Sequence, residues 1–107
     1  MGVTHPVLLT KASKADFDGL DGSQKPQVLK SFAKLEENGM EAGAPLHGSL
    51  AGCRKLKHQR LGLRIVFRAS AEPAGSIEVV AIGKRDGGDV YTVAGQRLVE
   101  DGSTEPA

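Results

Sequence analysis

The sequence predicts an α+β domain: a small twisted antiparallel sheet, two N-terminal helices packed on one face, and a short C-terminal helix. Three observations predict it. Apolar residues recur at helical spacing before residue 38, the pattern turns to β-branched and aromatic runs after residue 53, and short Gly- and Pro-containing segments separate those runs. Helices gathered on one side of a small sheet are the layer arrangement such an order supports. At 107 residues the chain is one domain's worth of sequence. Residues 1–101 are read as that domain and 102–107 as a polar, frayed tail.

The elements follow in order. Val7-Leu8-Leu9-Thr10 is a short apolar run suited to a first strand. Ser13-Lys14-Ala15-Asp16 has capping-box spacing, with Asp in place of Glu or Gln, and predicts a short helix through Phe17 and Leu20. Asp21-Gly22-Ser23 is a turn and helix start, and Pro26 fits the first turn of a second helix, where a missing N–H costs little. Val28, Leu29, Phe32 and Leu35 form one apolar face, and Asn38-Gly39 is a stop. Residues 39–52 read as a loop. Arg54–Lys57, Leu63–Arg68 and Ile77–Ile82 read as three strands of a meander. The last of them is almost continuously apolar, as a central strand buried on both faces would be. Asp89 to Glu100 fits a terminal helix that Gly95 weakens by up to about 1 kcal/mol.

Composition narrows the function. Fourteen Lys and Arg against 13 Asp and Glu give a net charge of +1, which argues against a polybasic tail protein. No apolar run approaches the ~18 residues of a membrane span. The first residues show no basic segment followed by an apolar stretch, so no secretory leader is expected. The single cysteine, Cys53, excludes an internal disulfide and a multi-cysteine zinc site, and fits a reducing cytoplasm. Cys53 itself reads as a small sheet residue, and His5, His47 and His58 lack metal-ligand spacing.

The near-zero sum hides a basic middle. Between Glu41 and Glu72 there is no acid, but there are six cations: Arg54, Lys55, Lys57, Arg60, Arg64 and Arg68. Local patches, more than net charge, focus a field. Because strand side chains alternate, Lys55 and Lys57 point one way and Leu56 the other. Arg64 can sit beside them across a hairpin, with Lys84, Arg85 and Tyr91 following the third strand. Such a group suits a polyanion: cations hold phosphates and a tyrosine ring can stack on a base. It also suits phosphodiester chemistry, where charge develops on phosphate oxygens. Crowding among cations favours the uncharged form of an amine, which is what a general base requires. The bland alternative for each residue is an exposed strand face, a turn cation or a ring capping the sheet.

These residues resemble the RelE/ParE superfamily of type II toxins, and most closely its RelE-type messenger-RNA interferases. The resemblance runs from Pro45 to Leu98. It is carried by Pro45-Leu46-His47-Gly48, Leu50-Ala51-Gly52-Cys53-Arg54-Lys55-Leu56-Lys57, Gly62-Leu63-Arg64-Ile65-Val66-Phe67, Val80-Ala81-Ile82-Gly83-Lys84-Arg85-Asp86, Asp89-Val90-Tyr91 and Arg97-Leu98. It implies a cytoplasmic toxin that enters the ribosomal decoding site and cuts messenger RNA without a metal or cofactor. It implies Lys57 as general base, with Tyr91 as the other candidate or as a stacking group. Lys55 and Arg64 would stabilise the charged phosphorane, and Arg85 would act at the leaving oxygen. An arginine is a poor acid because its pKa exceeds about 12, so electrostatic stabilisation is the safer role for Arg85. Arg54, Arg60, Arg68 and Lys84 are candidate RNA contacts. A cognate antitoxin protein would be the partner. After Arg85 the chain reads Asp86-Gly87-Gly88, where the best-known interferases carry another cation. Two other readings stand beside this one: a gyrase inhibitor of the same fold, and a non-catalytic binding module.

Overall fold

The computed structural model describes residues 5–71, 74–84 and 89–100. The expected tail, and Arg85 with the three residues after it, lie outside the described residues. The element order is β1 (Val7–Leu9), α1 (Lys11–Asp18), α2 (Lys25–Asn38), β2 (Ala44–Pro45), β3 (Cys53–His58), β4 (Leu63–Ala71), β5 (Ala74–Lys84) and α3 (Asp89–Glu100), with short 3-10 turns between several of them. The five strands form one sheet in the order β1-β5-β4-β3-β2.

The α+β class and the antiparallel β3-β4-β5 meander are as expected. The sheet as a whole is mixed, however, because β1 pairs with β5 in parallel, Val7 opposite Ile77 and Leu9 opposite Val79. Between β1 and β2, α1 and α2 carry the chain across the sheet, which frees β1 from any hairpin constraint. A two-residue strand inside the expected loop, β2, pairs Ala44 with Lys55 and Pro45 with Arg54.

Two local readings change. The first helix starts one turn earlier than Ser13-x-x-Asp16 suggests. Thr10 is the N-cap: its Oγ1 accepts from the Ser13 N–H at 3.0 Å, and its own N–H donates to Ser13 Oγ at 2.9 Å. Ser13 thereby satisfies an otherwise orphaned donor, and Asp16 is left for another task. Leu29 is exposed, because the buried stripe of α2 runs through Val28, Ser31, Phe32 and Leu35 and Leu29 falls beyond its margin. The rest of α2 follows the pattern. The Asp21 carboxylate accepts from the Ser23 hydroxyl and the Ser23 and Gln24 N–H groups just ahead of the helix, bonds that hold it below the usual carboxylate range. Gly39 ends it at φ 62°, where a side chain would be strained.

The sheet carries a core on each face. One is built from α2 and the strand residues Leu63, Ile65, Phe67, Ile77, Val79 and Ile82, with Phe17 of α1 packed on it 6.1 Å from Phe32. The other lies under α3, whose Val90, Ala94 and Leu98 cover Cys53, Val66, Val80 and Ala81. β5 therefore supplies both cores, as its apolar run suggested. A bulge makes this possible: Val66 faces Ala81 while Phe67 faces Val79, so Val80 and Ala81 both turn toward α3.

Gly43 fixes the loop beneath the sheet. A Cβ there would come within 2.6 Å of the Lys55 carbonyl oxygen and of the Phe67 ring. Its backbone is ordinary extended, so the need is for space. Gly43→Ala is expected to lower the unfolding free energy by about 1–3 kcal/mol, the usual result of overpacking, and a urea titration would read it. An unchanged midpoint would mean that the loop can move aside.

Candidate functional site

The site grows from strand alternation. Lys55 and Lys57 share a face of β3 with Cys53, whose side chain lies in the α3-side core. In register, Lys57 stands opposite Arg64 and Lys55 opposite Val66. Arg64 in turn stands opposite Gly83 of β5. Gly83 has no side chain, and Val90 fills the space above it, a Cβ at Gly83 lying 3.4 Å from that of Val90. This contact seats the first turn of α3 at the same end of the sheet. Tyr91 follows, half-buried, with the Lys55 ammonium 6.0 Å from its ring centroid. Lys55, Lys57, Arg64 and Tyr91 thus gather at one end of one face.

Arg64 is the unusual member. It is only 9% exposed. Its Nη1 donates to the Leu63 carbonyl at 3.2 Å, but its Nε is buried with no partner among the described residues. A buried cation normally has a carboxylate beside it. Among the described residues no carboxylate pairs with Arg64, which leaves its guanidinium able to bind an anion.

The remaining candidates are placed apart. Arg54 alternates onto the opposite face, where its Nη1 donates to the carbonyls of Met40 and Gly43, both at 3.1 Å. It ties the loop to the sheet. Arg68 lies on the site face but four residues along β4 from Arg64, about 13 Å away at strand rise, and pairs with Glu78 at 2.6 Å. Arg60 is exposed in the turn between β3 and β4, and Lys84 is exposed where β5 ends, opposite Leu63. Burial pushes the Cys53 thiol above its ordinary value, so that cysteine has packing character and little thiolate. Among the described residues no group of three or more His, Cys, Asp and Glu is placed to hold a metal ion. No described helix is long and apolar enough to cross a membrane.

Arg97 entered the sequence reading only through the resemblance, with no role. In the structure it forms a bidentate pair with Asp16, at 2.6 and 3.0 Å, and donates to the Val80 carbonyl at 3.0 Å. Asp16 also accepts from the Ile82 N–H at 3.1 Å. β1 pairs with β5 only as far as Val79. The two side chains therefore take up the ladder groups of β5 that β1 leaves open, and they pin α1 and α3 to that edge. No spacing signal links residues 16 and 97, so the sequence alone could not find this pair.

A buried guanidinium beside two lysines and a tyrosine, at one end of a two-core α+β sheet, is an arrangement able to bind an anion. Comparison with known proteins places it more closely. A RelE-like toxin protein of Escherichia coli is 34% identical over 83 residues, which span 78% of this chain and 85% of that one. The chain belongs to the RelE-like toxin family. No protein-family model matches it. Among solved structures, a variant of the E. coli toxin RelE in the free state is similar with a TM-score of 0.73 and 23% identity, covering 89% of this chain and 98% of that one. The RelBE2 toxin–antitoxin complex of Mycobacterium tuberculosis gives 0.67 and 21%, over 78% and 100%. The ParDE system of P. aeruginosa gives 0.59 and 18%, over 78% and 98%. At these identities the structures speak for the fold.

Proposed function

We propose that the protein is the toxin of a type II toxin–antitoxin system and cuts messenger RNA on the ribosome in the cytoplasm. The observation that carries this reading is Arg64: a nine-tenths buried guanidinium with an unsatisfied Nε, beside two lysines and a tyrosine. The scissile phosphate is the anion that completes it. The ribose 2′-oxygen attacks the adjacent phosphorus and loses its proton to Lys57 Nζ or to the Tyr91 oxygen. The bond from phosphorus to the 5′-oxygen breaks, that oxygen takes a proton from water, and a 2′,3′-cyclic phosphate remains. Lys55 and Arg64 oppose the charge that builds on the non-bridging oxygens. Tyr91, its ring face turned to Lys55, can instead stack on a base. Arg85, outside the described residues, follows β5 directly and takes its leaving-group role from the family pattern. A cognate antitoxin is the partner, as in the solved complex of RelBE2. A face with this charge suits an acidic segment in it.

Primer extension on a message in a reconstituted translation reaction tests the reading. Cuts are expected only on ribosome-bound message, and Lys57→Ala, at an exposed position, should slow them by roughly 10²–10⁴-fold. Arg85→Ala should do likewise. Intact message in every lane would sink the interferase and turn attention to gyrase, where a supercoiling assay decides.

A further inference from the structure

A second basic surface lies around the edge of the sheet from this site. A groove of about 440 Å³ runs between α2 and β3. Lys30 and Lys34, one helical turn apart and exposed, line its α2 wall; His58, Arg60 and Lys57 line the other side. No carboxylate lines it, and none of the four Lys and Arg residues is paired with a described acid. β2 pairs with β3 only at Arg54 and Lys55, so no strand among the described residues covers the outer side of Leu56 to His58. Lys57 belongs to both surfaces. The cations therefore run without interruption from Arg64 over the β3 edge to α2.

We infer that the α2–β3 groove holds the sugar–phosphate backbone of the RNA beyond the cleavage point. The inference rests on the interferase reading for the identity of the polyanion. A groove with like charges along its length and no acid among them fits a chain of phosphates, which needs a cation at each step and no sequence readout. A protein segment fits it less well, because helical or extended peptides anchor through apolar side chains and Leu56 is the sole large apolar residue in the lining. Lys30 and Lys34 stand about 6 Å apart along the helix axis, a step a flexible strand can match phosphate by phosphate.

The test uses a fluorescein-labelled 2′-O-methyl RNA of about 20 nucleotides, which lacks the attacking hydroxyl and cannot be cut. Lys30→Gln/Lys34→Gln should weaken binding roughly 10- to 30-fold near 0.1 M salt and flatten the log K against log salt plot by about 1.4. Affinity for a 2′-O-methyl trinucleotide, long enough only for the Lys55–Tyr91 site, should not change. Lys30→Arg/Lys34→Arg should keep full affinity, which separates lost charge from lost structure. Equal affinity and slope in the Gln variant overturn the inference. So does a Gln variant that binds RNA normally but its antitoxin weakly, since the groove then belongs to the antitoxin. Failure of the interferase reading looks different: the wild type would bind the long probe and yet leave ribosome-bound message intact in the primer-extension reaction.

Discussion

Arg64→Met is expected to make the protein harder to unfold and nearly inactive. The two effects have one cause. Arg64 sits nine-tenths buried with its Nε unsatisfied, so the folded protein carries desolvation of a cation that its one bond to the Leu63 carbonyl repays only in part. A methionine of similar reach removes that cost and keeps the packing above Gly83 and beside Val66. A gain of about 1–3 kcal/mol in unfolding free energy is the expected scale. On the proposed interferase function, loss of one preorganised charge from the site should cost roughly 10²–10³ in cleavage rate. Arg64→Lys keeps the charge but not the planar fork, and should fall between the two in activity. Urea unfolding and primer extension on the same three proteins read the pair of effects. A methionine variant that is less stable and still cuts would mean that Arg64 is a structural residue with no part in the chemistry.

The parts of the protein that were legible in its sequence are those set by local signals. Period and punctuation are local, so α2, the β3-β4-β5 meander and α3 could be read directly, and so could the shared face of Lys55 and Lys57. Arg64 opposite Lys57 also followed, because a short hairpin leaves little freedom of register. The burial of Arg64 did not follow. Arg64 stands opposite Gly83, over which Val90 of α3 settles, a contact between elements that only the folded chain makes. The same limit applies to Arg54. Its neighbour Lys55 is a candidate site cation, yet alternation turns Arg54 to the other face, where Met40 and Gly43 take its hydrogen bonds. The parallel pairing of β1 with β5 joins residues 70 positions apart, and no local signal distinguishes a parallel edge strand from an antiparallel one. The cap of α1 was misplaced for a subtler reason. Thr10-x-x-Ser13 and Ser13-x-x-Asp16 are overlapping patterns, and the choice between them is made by Asp16, which is needed elsewhere.

That need sets the second large effect. Asp16→Ala is expected to lower the unfolding free energy by about 2–4 kcal/mol, although a cap-like reading of the residue would suggest about 1. The carboxylate closes three bonds at once: two from the Arg97 guanidinium and one from the Ile82 N–H. Both side chains are about four-fifths buried, so water replaces those bonds only in part. Truncating one partner leaves the Ile82 N–H without its acceptor and takes the Asp16 carboxylate from the guanidinium, which is the costly way to break a pair. Arg97→Met should cost less, because Asp16 keeps its bond from Ile82 and the Val80 carbonyl can turn to water. In the double variant the losses should fall short of their sum by about 1–3 kcal/mol, since the pair can be broken only once. Additive losses would mean that α1 and α3 hold the β5 edge independently. The cycle also bears on function. α3 carries Tyr91 at its other end and Val90 over Gly83, the residue opposite Arg64, so loosening Arg97 loosens the helix beside that position. A clamp variant that still folds at low temperature should therefore lose cleavage in proportion to the motion of α3. Arg64 should meanwhile become more accessible, read as faster modification by a guanidinium-specific dicarbonyl reagent than in the wild type.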